Sequence, residues 1–415
     1  MALLGCTLLT TAWSGGTQAA TPWPQWGGPD RNFKIVGAHL PDAWPKDGPK
    51  TLWRRDLGDG YSSIVTDGRR LYTMYRIDDD DKNLHQEAVI ALDPADGKTL
   101  WEHKYDAPFA KDMQMNFGPG PHSTPLIVGD RLYTVGIRVH LLCLDKRTGK
   151  LLWSHDLEKE YDDSHLMRGY GSSPLAYKDL VILPIGGKGH AVVAFNQADG
   201  KLVWKNQGFG PTYSSPILIH LSGEAQLVVF ADKAVNGLDP DSGRLLWSHD
   251  HPTRFGANIS TPVAGDDGYL FISSAYGMGS RGVRLTRKDG KTIAQEAWYN
   301  KKMKIHHGNA VRVGDYVYGS SGDFGPVFFT AINVKTGKIA WRQRGIAKAT
   351  CLYADGKMII LDEDGNLVLA SVGPEKMEIL AKAELCKANA WTVPTLAGKT
   401  LYLRDRKEII ALDLH

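Results

Sequence analysis

Residues able to do chemistry are few and scattered along this chain of 415 residues. His306-His307 is the most suggestive metal-ligating pair, but neighbours on a strand point to opposite faces, so both reach one ion only from a loop. A structural or pore-lining role is the simpler reading. His122 stands alone ahead of Ser123-Thr124-Pro125, Arg168 and Tyr170 precede Ser172-Ser173-Pro174, and Trp391 precedes Thr392-Val393-Pro394. Arg168 can hold a carboxylate through paired N–H bonds, Trp391 can stack on a flat ligand, and His122 can bind a ligand or line a wall. The acidic run Asp78 to Asp81 lacks the ligand spacing and the glycine of an EF-hand and reads as a solvated hairpin loop. Gly186-Gly187-Lys188-Gly189 lacks P-loop spacing and no helix is predicted after it. No catalytic residue and no metal ligand is assigned.

What must position these groups is a repeat. LDKRTGKLLW (Leu144 to Trp153) recurs as LDPADGKTLW ending at Trp101, FNQADGKLVW at Trp204, LDPDSGRLLW at Trp247 and INVKTGKIAW at Trp341. Degenerate copies follow the same plan: LTRKDGKTIA ends at Ala294, and SVGPEKMEIL places its equivalent near Ile379. The copies fall roughly 40 to 50 residues apart, the period of propeller blades. KTLW at Trp53 is the second half of a copy and the closing KEIIALDLH the first half, so the two ends complete one blade. The polar centre is a tight turn, with Asp or Asn capping and Gly taking the positive φ. Trp53, Trp101, Trp153, Trp204, Trp247 and Trp341 then read as structural staples that bury against the next blade.

Eight short openings of small residues, such as Ser123-Thr124-Pro125 and Ser214-Ser215-Pro216, alternate with these outer strands. Innermost strands crowd the axis and are sheet edges, where small side chains fit and proline is tolerated. The expected fold is all-β: an eight-bladed propeller of four-stranded antiparallel blades over residues 50–415, closed by the N-terminal strand joining the C-terminal blade. His122, Arg168, Tyr170 and Trp391 should then stand near the axial funnel, a propeller's natural small-molecule site.

Charge is nearly balanced, at +3 with 23% charged residues, and no basic run asks for nucleic acid. Residues 1–20 are moderately apolar and end in small residues before Thr21, as a secretory signal does, which implies a periplasmic or extracellular protein. Leu3-Leu4-Gly5-Cys6 fits a lipoprotein box, though too few residues precede Cys6 for an ordinary leader. No run of about 20 apolar residues suggests a membrane helix. Residues 21–49 read as an extended N-terminal segment, of which WPQWGGPDRN (Trp23 to Asn32) should pack on the propeller's side. Four cysteines make no disulfide scaffold. Cys143 should be buried, and Cys351 and Cys386, in adjoining repeats, can pair if geometry allows.

The signature A-x-[DN]-x-x-[ST/D]-G-K-x-x-W, with GPHSTP and YGSSP at two openings, resembles the pyrroloquinoline-quinone-type repeat, a WD40-like propeller repeat. That family includes bacterial quinoprotein dehydrogenases and the outer-membrane barrel-assembly lipoprotein. WPQWGGPDRN, YNKKMKIHHGN (Tyr299 to Asn309) and AWTVPTLAGKTLYLRD further resemble secreted bacterial propellers of the same repeat. One repeat serves enzymes and scaffolds alike. The dehydrogenase branch would imply pyrroloquinoline quinone with calcium in the funnel and a carboxylate acting as base on an alcohol or sugar. This chain has no adjacent cysteine pair, and many such enzymes are longer, with loops that cap the cofactor. The expectation is therefore an exported non-catalytic scaffold without a cofactor, its funnel and top-face loops recognising an envelope protein or a small ligand.

Overall fold

The computed structural model describes residues 21–79, 84–161, 166–387 and 389–414. The signal-like segment with Cys6, and Asp80 and Asp81 of the acidic run, lie outside them. Eight antiparallel meanders are arranged as an eight-bladed β-propeller. Blade one is Val65–Thr66, Leu71–Asp79, Leu84–Leu92 and Thr99–Asp106. Blade eight is Thr395–Ala397, Thr400–Arg404 and Glu408–Asp413, completed by Lys50–Asp56 from the other end of the chain.

A register shift immediately before each Trp explains why the outer strands staple so regularly. The bulge skips Leu52 ahead of Trp53 and Leu152 ahead of Trp153. An extra residue bends the strand and re-aims the side chain that follows it. The indole N–H of Trp53 then donates to Pro94 O (2.9 Å), that of Trp101 to Lys146 O (3.0 Å) and that of Trp153 to Gln197 O (3.2 Å), each in the next blade's turn. The turn glycine is needed twice over: Gly149 has φ +73°, and a Cβ there would lie 2.5 Å from the Trp101 ring. Two expected positions are corrected by the same bulge. In blade five it falls before Trp298, whose N–H reaches Val334 O at 2.7 Å, while Ala294 lies out along a longer hairpin opposite Leu285. In blade seven it falls after Ile379, so Ala381 occupies the Trp position.

Around the axis the small polar openings stitch blade to blade. Ser63 N donates to Thr124 Oγ1 (3.3 Å), Thr124 N to Ser173 Oγ (3.0 Å) and Ser173 N to Ser215 Oγ (2.9 Å). Asn309 and Cys351 exchange two bonds, and Thr350 Oγ1 donates to Thr392 O. Serine and threonine recur here because a crowded axis leaves backbone groups that short polar side chains can satisfy.

Trp23 to Asn32 do not pack on the propeller's side; they cross the end of the axis. Trp23 bridges Thr66 of blade one, Pro24 O accepts from Ile127 N of blade two, and Trp26 Nε1–H donates to Thr261 Oγ1 of blade five. Arg31, only 7% exposed, donates to Pro174 O (2.8 Å), Ser173 O (3.3 Å) and Pro216 O (3.0 Å). Lys34–Ile35 then adds a parallel strand to blade seven. A charged fork satisfies converging carbonyls that no neighbouring strand can reach.

Cys351 and Cys386 are free and buried, as is Cys143, so the pairing entertained for the first two does not form. They sit in separate apolar clusters, and burial pushes both thiols up to about 12.

Candidate functional site: the axial funnel

Every blade contributes to one axial cavity of about 980 Å³. Its wall is built by the residue directly preceding each opening: Tyr61, His122, Gly171, Tyr213, Ile259, His307 and Trp391, with Lys348 serving blade seven. His122, Arg168 and Trp391 thus come together. Tyr170 does not join them. Blade three places Gly171 at the wall, and the residue before it turns the other way, as alternation along extended backbone requires. Tyr170 is 2% exposed and packs in an apolar cluster with Leu126 and Val181.

One side of the wall is a run of rings. His122 stacks on Tyr61 (centroids 5.7 Å, 24°), Tyr61 on Trp391 (5.3 Å, 21°), and Trp391 meets His307 at 4.4 Å. His307 touches His306 at 5.1 Å, whose Nε2 lies 2.8 Å from the Tyr276 hydroxyl. Both histidines sit on a loop and both line the cavity. Phe117, Phe255 and Phe324 stand at the mouth, Phe324 being 83% exposed and Phe255 66%. Composition alone did not mark these loop aromatics. Tyr61 and Tyr213, however, occupy the same place before an opening as His122, a signal present in the repeat itself.

Charges are placed unevenly. Trp391 Nε1–H donates to Glu363 Oε2 (3.0 Å), and Lys348 Nζ lies 3.9 Å from Glu363 Oε1. Burial opposes ionisation of Glu363, but bonding to His307 and Trp391 and the Lys348 charge prevail and hold it down to about 2. The Arg168 guanidinium lies over the Phe117 ring at 4.7 Å. Burial, outweighing the Arg168 carbonyl that receives its ring nitrogen, lowers His122 to about 4; burial, then the charges of His307 and Lys348, lowers His306 to about 3.

Unfolded imidazoles take up protons below about pH 6.5. The folded ones resist until pH 4 or 3, so their contribution to stability is complete above 6.5 and declines as pH falls toward 3. Glu363 adds a loss between its ordinary 4.5 and about 2. The melting temperature should fall steadily from pH 6.5 to 4, and His306→Gln should flatten that slope; parallel profiles for the variant and the parent would contradict it.

The fold and site define a class: an eight-bladed propeller of quinone-type repeats around a blind axial funnel. The family model described as outer membrane protein assembly factor BamB matches residues 85–343, and the chain belongs to that family. It is similar to the outer membrane protein assembly factor BamB of Shewanella oneidensis, 21% identical over 63% of this chain and 66% of that protein. It is also similar to quinohemoprotein alcohol dehydrogenase ADH IIB of Pseudomonas putida, 32% identical over 28% of this chain and 17% of that one. The match thus spans under two thirds of each relative. The quinohemoprotein alcohol dehydrogenase of Comamonas testosteroni superposes with a TM-score of 0.64 at 13% identity, over 95% of this chain and 80% of that one, a likeness of fold.

The funnel's donor set does not suit a calcium–quinone pair. Calcium takes six to eight oxygens. The lining carboxylates stand on different blades and are engaged: Asp323 bonds Lys304 Nζ (2.7 Å) and Gly277 N (3.1 Å), and Asp232 accepts from Gly210 N (3.0 Å). Among the described residues no group of three His, Cys, Asp or Glu could hold a metal.

Proposed function

We propose that this chain is an exported, non-catalytic binding scaffold of the cell envelope, working through the axial funnel and the loops at its mouth. The observation that carries this reading is the blind funnel itself. The N-terminal segment seals one end, and the other opens between exposed Phe117, Met167, Phe255 and Phe324. Apolar side chains clustered at a concave mouth mark recognition surfaces. Phe255 is held outward at φ +81°, a conformation non-glycine residues seldom adopt, and such strain persists where the surrounding structure enforces it. Membership of a family described as an assembly factor supports a protein partner in the envelope; no described helix is long and apolar enough to cross a membrane.

The alternative is a quinone- and calcium-dependent dehydrogenase oxidising alcohols or sugars. Adding pyrroloquinoline quinone and calcium to the purified chain, with an alcohol and sugar panel and an artificial dye acceptor, should give no dye reduction above the protein-free rate. Saturable quinone binding with turnover would overturn the scaffold reading.

A further inference from the structure

We propose that the funnel binds an acidic sugar, a pyranose ring bearing one carboxylate, with the carboxylate on Arg168 and the ring hydroxyls on the floor and wall. This rests on the binding reading above and names its ligand class.

The first support is a set of polar atoms with nothing to bond. Ser63 Oγ, Arg168 Nη1, His306 Nδ1 and His307 Nδ1 are buried and have no hydrogen-bond partner among the described residues, while His307 Nε2 faces Glu363 Oε2 at 3.8 Å. All four residues line the one cavity, and Ser63 is 3% exposed. Buried polar groups are normally paired, so unpaired atoms on four residues around one space mark partners that a ligand supplies.

The second is the direction of the hydrogen bonds already made. Ser173 Oγ and Ser215 Oγ accept backbone N–H groups, and Thr261 Oγ1 accepts the Trp26 indole N–H. Each hydroxyl therefore keeps its own hydrogen to donate, and all three residues line the cavity. With Arg168 they form a donor-rich surface, which suits a ligand dense in acceptor oxygens. Arg168 makes no ion pair among the described residues, whereas Lys304 neutralises Asp323. One unmatched cation matches one carboxylate, while Asp232 and Asp323 in the same lining disfavour a polyacid.

The third is ring geometry. Tyr61 lies between His122 and Trp391, and Trp391 between Tyr61 and His307, so this wall meets the cavity with ring edges rather than free faces. A flat aromatic acid has little to stack on there. Ring edges carry positive charge and favour oxygen. The most exposed ring at the mouth is Phe324, where the C–H face of a pyranose can rest, whereas the Arg254 guanidinium lies over the Phe255 ring at 5.3 Å.

The test is titration of the full chain with galacturonate, galactose and pyrroloquinoline quinone without calcium, followed calorimetrically. Galacturonate is expected to bind saturably and galactose at least tenfold more weakly. Arg168→Gln should bring the two sugars together without changing the melting temperature, and Arg168→Lys should restore part of the preference. The proposal is overturned if galacturonate does not bind, if galactose binds equally well, or if Arg168→Gln keeps the preference. Tighter binding of the quinone alone would replace the acidic sugar by a flat acid and leave the scaffold reading intact; only turnover in the dye assay removes that.

Discussion

Replacing Trp247 with alanine is expected to destabilise the protein by about 3–5 kcal/mol, the range for truncating a buried tryptophan. Trp247 is 5% exposed, its N–H donates to Gln226 Oε1 at 2.7 Å, and it packs with Leu270 and Val283 of blade five. Its neighbour Gly237 leaves no alternative: a Cβ there would lie 2.0 Å from the indole nitrogen. Trp153 is only part-buried and its bond to Gln197 O is longer, at 3.2 Å, so Trp153→Ala should cost less. Urea midpoints followed by circular dichroism give the order. Equal, small shifts for both variants would mean that the outer tryptophans do not hold the blades together.

Arg31→Met is expected to cost about 3 kcal/mol or more and to loosen the floor of the funnel. Hydrogen bonds from a charged donor are each worth about 1.5–3 kcal/mol, and a buried carbonyl left without its donor adds a penalty. Three carbonyls of blades three and four would be left so. Burial brings the Arg31 guanidinium down to about 9, so it stays charged at neutral pH and the loss should persist across the physiological range. Hydrogen exchange across residues 21–33 should accelerate while the outer strands keep their protection. Unchanged exchange there, with an unchanged melting temperature, would show that Arg31 does not secure the plug.

The blades were legible because a turn needing Gly and a bulge needing a following Trp leave fixed residue types at fixed spacing. Blade five hid its docking residue for a physical reason: its hairpin extends to Lys288 and Lys291, which displaces the bulge and carries Trp298 beyond the expected position at Ala294. The N-terminal segment was misplaced because it has no strand period. Its contacts combine isolated backbone bridges, such as Trp23 with Thr66, and single side chains, such as Arg31 to backbone carbonyls, which no repeating pattern encodes. At the site, the openings pointed to His122, Arg168 and Trp391, while Tyr170 fell on the wrong side of an alternation that Gly171 controls. The mouth aromatics Phe255 and Phe324 lie on loops between blades, where length and conformation vary freely.

The outer-strand tryptophans staple the circumference, whereas Trp391 and Trp26 face the axis. The most direct test is the indole N–H spectrum of the ¹⁵N-labelled chain, with twelve tryptophans, titrated with galacturonate. Shifts confined to Trp391 and Trp26, the two described tryptophans that line the funnel, are predicted. Saturable shifts at Trp101, Trp153 or Trp341 with Trp391 and Trp26 unmoved would place recognition on the outer strands and contradict an axial site.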